Sequence, residues 1–244
     1  MLDETEQPPA AAPDDRIAWG PREIAQALGI VVAGFLFLGA TAALVVAVAG
    51  LSLSDSQVLG VSLVATLFLD LGLFGLAAIF SVGKYRLRWS ALGFRPLVLD
   101  QAWVIVATAM GAFAIAIVYG VIVELLDLDK LIPEQSLSGD IFDNQALVIT
   151  SGVLVVLAAP LAEETFFRGF MFSGLVKRLG FFGAALASGL LFSLAHGQLA
   201  TLIPFTLVGM LFAAVYAYTG SLWTNIGAHF IFNVIGFLVM LFSE

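Results

Sequence analysis

Apolar runs of bilayer-crossing length follow one another almost without interruption along this chain, at 24–51, 58–82, 102–126, 146–161, 181–195, 199–218 and 221–242. A hydrocarbon core of about 30 Å takes about 20 helical residues to cross. Within it only helices or closed barrels satisfy every backbone N–H and C=O. The runs lack the alternating polar residues of a barrel strand, so helices are predicted. The expectation is an all-α, polytopic integral membrane protein of seven helices, with its polar site between helices of the C-terminal half. The fourth and fifth runs are short, and an eighth helix at 166–179, intramembrane or interfacial, is the alternative count. Composition agrees: 61% of the 244 residues are hydrophobic and 11% charged, too little polar surface to coat a water-soluble globule. The lipid bilayer is the first partner implied.

Residues 1–21 are acidic, proline-bearing and without apolar periodicity, and are predicted to be a disordered tail. They lack the basic start of a cleavable signal peptide, so the first apolar run is read as an uncleaved anchor. The remainder divides into N-terminal helices and loops at 22–145 and a core at 146–244, with no internal repeat. Arg16, Arg22, Lys84, Arg86, Arg88, Arg95, Lys177 and Arg178 fall on one side of the bilayer if the N-terminus is cytoplasmic. The loop holding Asp127, Asp129, Glu134, Asp140 and Asp143 against Lys130 then lies outside. No clustered basic surface points to nucleic acid. The absence of cysteine excludes disulfides and thiolate chemistry. Gly34, Gly39, Gly72 and Gly75 are read as points where helix backbones approach closely.

Ionisable side chains at membrane depth are costly and mark functional sites by default. Here they concentrate in AEETFFRGF, LFSLAHG and HFIFN, which hold both of the chain's histidines. On a helix of 3.6 residues per turn, Glu164 and Arg168 share a face while Glu163 is rotated about 100° from them. Glu164 with Arg168 reads as an internal ion pair. Glu163, less compensated, reads as a proton acceptor and donor. Charges at a helix end, with Arg168 snorkelling to headgroups, are the bland alternative. Phe192 lies four residues before His196 and is placed to orient its imidazole. His229 and Asn233 share a face and aim an imidazole and an amide into one space. Asp70, alone in the second run, is either neutral or paired with a polar group on another helix.

Glu-Glu-x-x-x-Arg, Phe-x-x-x-His and His-Phe-x-x-Asn, in that order on successive spans, resemble the CPBP family of intramembrane proteases, which includes the type II CAAX prenyl endopeptidases. The resemblance runs from residue 146 to the C-terminus. The segment SALGFRP at 90–96 is similar to one that precedes the core in bacterial members. It implies that Glu163 activates the attacking water, that His196 positions or protonates, and that His229 and Asn233 stabilise the oxyanion. Glu164 and Arg168 would hold the glutamate helix in place. The implied substrate is a peptide or membrane protein, and the implied location a bacterial cytoplasmic membrane. Prenylated substrates belong to eukaryotic cells and are not carried over.

Two histidines and a glutamate could instead hold a divalent metal such as zinc with an open fourth position. The family is commonly labelled metalloprotease, and the HExxH pattern is absent. Two other classes stand beside a protease. One is a non-catalytic membrane scaffold or bacteriocin self-immunity protein. The other is a transporter using Asp70 and Glu124, disfavoured by the lack of repeats.

Overall fold

The computed structural model describes residues 17–50, 55–132 and 144–242. The helices are α1 (Pro21–Ala49), α2 (Asp55–Ala78), α3 (Ala102–Leu125), α4 (Gln145–Val153), α5 (Ala159–Glu164), α6 (Ser173–Ala195), α7 (Leu202–Thr219) and α8 (Leu222–Phe242). Wider π-helical turns extend α2 over Ile79–Gly83, join α4 to α5 over Leu154–Ala158, and join α5 to α6 over Thr165–Phe172. Among the described residues there is no strand, and six helical runs are long and apolar enough to cross a membrane.

Gln145–Ala195 is one helical run of 51 residues by length, but it holds two helices, so the predicted seven stands. It breaks once, at Gly180, whose φ of 65° and ψ of 178° leave helical space. Glycine tolerates that conformation without the Cβ penalty other residues would meet. The two short apolar runs thus lie on separate helices that meet at Gly180. The separate helix suggested at 166–179 is instead the uninterrupted continuation of the segment that carries the glutamates.

Local chemistry explains the helix ends. Asn144 caps α4, its Oδ1 accepting from the N–H groups of Ala146 and Leu147 at 3.1 and 3.3 Å. In α1, Pro21 occupies the first turn and Glu23 accepts from Gly20 N–H at 3.0 Å. Glu23 also receives Lys84 Nζ at 2.6 Å and Tyr85 O–H at 3.0 Å, which ties α1 to the end of α2. That carboxylate holds the Lys84 ammonium above its ordinary pKa.

The stretch read as a tail to residue 21 includes Trp19, which is buried at 4% exposure and donates its indole N–H to the Phe170 carbonyl at 2.8 Å. One aromatic among polar residues gave no periodic signal, yet it finds a socket against Ile24 and the Gly174 backbone. The preceding residues 1–16, and 133–143 of the acidic loop, lie outside the described residues. The SALGFRP segment docks at the same end: Tyr216 O–H donates to Leu92 O at 3.2 Å, Leu222 N–H to Gly93 O at 2.8 Å, and Ser221 Oγ to Arg95 O at 2.8 Å. The start of α1, the 84–96 segment, the start of α6 and the α7–α8 turn therefore cluster together.

The main core is aromatic, built from Phe166, Phe167, Phe170, Met171, Phe172 and Phe192 among others. The outer faces remain apolar, with Phe37, Val48, Leu99 and Phe242 each at least 70% exposed, as a lipid-facing surface requires. Helix α1 is the extreme case, burying only Glu23, Ile24 and Ala27. Gly34, Gly39, Gly72 and Gly75 are not contact points, since a Cβ at any of them would meet nothing within 4 Å. The close approach is at Gly189 of α6 and Gly209 of α7, where a Cβ on Gly209 would lie 2.5 Å from the Gly189 Cα. A single sequence shows where small residues are but not which neighbour they meet.

Candidate active site

The π-helical stretch after α5 buries every residue from Thr165 to Phe172, and the two glutamates stand at its entrance. Glu164 is fully buried and fully engaged. Its Oε1 accepts from Arg168 Nη1 at 2.9 Å and faces His229 Nδ1 at 3.0 Å, while Oε2 accepts from Asn225 Nδ2 at 3.2 Å. Such an arrangement makes a buried carboxylate tolerable, because an opposite charge and two further donors replace lost water.

Arg168 is equally buried, and its guanidinium lies 4.5 Å from the Phe192 ring centroid and 5.1 Å from that of Phe212. Cation–π attraction strengthens when both partners are desolvated. Its Nη2 reaches the Gly209 carbonyl at 3.4 Å, a contact made possible by the bare Gly189–Gly209 crossing. Arg168 is thus sealed inside the protein, and the snorkelling alternative is overturned.

His229 connects the two glutamates. A carboxylate accepts hydrogen bonds, so the imidazole proton sits on Nδ1 toward Glu164. Nε2 is left 3.8 Å from Glu163 Oε2. Glu163 has a side chain 16% exposed, and its Oε2 is buried without a hydrogen-bond partner. One glutamate is saturated, while the other keeps an unsatisfied oxygen beside an imidazole and partial access to its surroundings.

His196 caps α6 with its Nδ1 2.8 Å from the Phe192 carbonyl. A carbonyl oxygen only accepts, so Nδ1 carries the proton and the lone pair of the neutral ring is on the outer Nε2. The ring packs edgewise on Phe192 and Phe205, with centroids 4.9 and 4.7 Å away. Phe192 also lies 6.0 Å from the His229 ring. It therefore touches Arg168, His196 and His229 together, a wider role than the local orienting contact read from spacing.

Asn233 departs from expectation. Its Nδ2 donates to the Val155 carbonyl at 2.7 Å, inside the π-helical turn between α4 and α5, where widening redirects backbone carbonyls. The polar partner that His229 shares is Asn225, absent from the sequence reading. The signal was available: Asn225, His229 and Asn233 recur every four residues along one face of α8. As for metal, no group of three His, Asp or Glu side chains among the described residues stands close enough to hold an ion. Glu164 and His229 Nδ1 are committed to each other, which leaves Glu163 Oε2 and the Nε2 atoms of His196 and His229 as the atoms a metal would take.

Residues 145–235 match a family model, the type II CAAX prenyl endopeptidase Rce1-like family. Over this segment the chain is similar to that family. It begins at the first residue of α4 and ends just past Asn233, so it contains Glu163, Glu164, Arg168, Phe192, His196, Asn225, His229 and Asn233. The protein named Putative membrane peptidase YdiL, from Bacillus subtilis (strain 168), is 34% identical over 87 residues, covering 36% of this chain and 34% of its own. The chain thus spans about a third of the length of the curated relative it matches. No solved structure matches. Helices α1 to α3, with Asp70, lie outside the Rce1-like segment.

Proposed function

We propose that the protein is an intramembrane endopeptidase that hydrolyses a peptide bond of a membrane-associated protein or peptide with water activated by Glu163. The observation that carries this reading is the contrast at the end of α5, where Glu164 is saturated by Arg168, Asn225 and His229 while Glu163 Oε2 has no partner. A base must keep an oxygen free for water, and a water-poor setting strengthens electrostatic stabilisation of the transition state. The Rce1-like match and the bacterial relative's name point the same way.

In this mechanism Glu163 takes a proton from water as the water oxygen bonds to the scissile carbonyl carbon. The negative charge formed on the carbonyl oxygen is stabilised by hydrogen-bond donors, for which the second N–H of the Asn233 amide and, when protonated on Nε2 as well, the His196 and His229 rings are the candidates. Glu163 then returns its proton to the leaving nitrogen as the carbon–nitrogen bond breaks. The Glu164–Arg168 pair positions the helix. We place the protein in a bacterial cytoplasmic membrane with the start of α1 cytoplasmic, since the basic segment 84–96 and the starts of α1 and α6 share one end.

The test compares protein termini, by mass spectrometry, in cells carrying wild type or Glu163→Ala at matched expression. Fragments present only with wild type, and persisting when purified protein and substrate are dialysed against a chelator, are the expected result. Identical termini with both proteins folded and the native partners present would overturn the reading in favour of a non-catalytic binding or immunity role. Loss of cleavage on chelation would overturn the metal-independent step.

A further inference from the structure

Helix α8 turns His229 toward the polar site and a second face outward, where it borders an open cleft against α3 and the π-helical turn 154–158. The cleft has a volume of about 260 Å³ and an apolar lining that includes Leu97, Ile105, Leu157, Trp223, Gly227 and Phe230. It is larger than the cavity of about 150 Å³ that takes up benzene in a protein core. Leu97, Leu157, Trp223 and Phe230 are exposed at its rim, so it opens on the apolar outer surface of the bundle. Its inner end is set by Gly227, where a Cβ would come within 3.2 Å of Ile105.

One end of the cleft carries positive charge. The SALGFRP segment and the start of α8 are fastened together there by Leu222 N–H to Gly93 O and Ser221 Oγ to Arg95 O, both at 2.8 Å. Phe94 meets the Trp223 ring edge-on, 5.6 Å between centroids. The Arg95 guanidinium is held at the same place: Nε donates to the Ser90 carbonyl at 3.0 Å, and Nη1 lies 3.5 Å from where a Cβ on Gly220 would stand. Residues 84–100 hold four basic side chains against one acid, Asp100. At 1.5 Å of rise per residue, Phe230 lies about 10 Å further along α8 than Trp223. Basic and Trp side chains mark the headgroup level of a bilayer, and basic segments there attract anionic lipids. An apolar cleft that starts at that level and continues about 10 Å deeper matches a phospholipid in both charge and polarity.

We infer that this cleft binds one anionic phospholipid, with the phosphate at Arg95 and Trp223 and part of one acyl chain between Ile105, Leu157, Gly227 and Phe230. Guanidinium donors match phosphate oxygens in pairs, which makes arginine the better cation for this task. The lipid lies against elements whose other faces form the polar site. Gly227 and Phe230 stand next to His229 in α8, and Leu157 belongs to the π-helical turn whose Val155 carbonyl receives Asn233. Lipid in the cleft thus supports the helix that carries His229 and Asn233 without entering the site. The binding is independent of Glu163 and of any proteolysis.

The experiment is photocross-linking of the full chain in lipid nanodiscs, using phosphatidylglycerol or phosphatidylcholine with the same diazirine-bearing acyl chain, followed by mass spectrometry of the labelled peptides. The expected result is label concentrated at 97–105, 154–158 and 223–230, about fivefold stronger with phosphatidylglycerol, as one arginine at the membrane surface gives. Arg95→Gln removes the headgroup preference, and Gly227→Leu, which fills the cleft, removes the label. The wild-type map decides by itself if either variant fails to fold. Label as heavy on the exposed face of α1 around Phe37 as in the cleft overturns the site. Equal labelling by the two lipids overturns the choice of an anionic headgroup. Loss of the label when an excess of an apolar transmembrane peptide is added assigns the cleft to a protein segment and overturns the lipid.

Discussion

Two neighbouring positions at the end of α5 carry glutamates in opposite surroundings. At one, Glu164 meets an arginine, an asparagine and a histidine, with no oxygen left free. At the other, Glu163 meets an imidazole at 3.8 Å, with an oxygen left over. The difference separates two uses of a buried charge. A saturated carboxylate fixes helices in register, whereas an unsatisfied one stores the capacity to take a proton or bind water.

The comparison breaks most sharply at the glutamates themselves. Glu163→Gln lowers peptide hydrolysis on the order of 10²–10⁴-fold, the range of a lost general base, and leaves thermal unfolding unchanged. Glu164→Gln does the reverse: it strands a buried arginine and lowers stability by about 3–5 kcal/mol, measured as earlier unfolding by tryptophan fluorescence. If Glu164→Gln unfolds like wild type, the division between the two positions is wrong. At the next level, Gly209→Ala drives a methyl group into Gly189 and costs about 1–3 kcal/mol in the same assay, while Gly34→Ala, in open space, does not. The smallest effect is that of Asn233→Ala, which releases the Val155 carbonyl and costs about 0.6 kcal/mol, as an interhelical hydrogen bond in a membrane protein does. A fall in kcat on the order of 10²-fold in that variant sharpens the picture by giving the amide a transition-state contact as well.

The parts of this arrangement written within one helix were legible in the sequence. Glu164 with Arg168 and Phe192 with His196 are spaced four apart, and the structure joins both pairs. Apart from the fourth, which the helix overruns by many residues, the apolar runs locate the helices to within a few residues. What escaped was set between helices. The Gly189–Gly209 crossing, the Asn225 contact to Glu164 and the turn of Asn233 toward Val155 each depend on which helix packs against which. Periodicity along one helix is silent on that choice. The break at Gly180 falls in the gap between the fourth and fifth apolar runs, read as separate spans, but the first of the two helices continues past the charged residues, which apolarity alone does not show.

The placement of Glu164 and Arg168 four residues apart on one helix also bears on how the chain is made. Asn225 and His229 are synthesised some sixty residues later, so the translocation machinery must release the glutamate segment into lipid before those partners exist. Because the arginine travels with its own counter-ion, this segment enters the bilayer with the two charges already cancelled in cis. Membrane insertion need not wait for the last helix, whose arrival finishes the site.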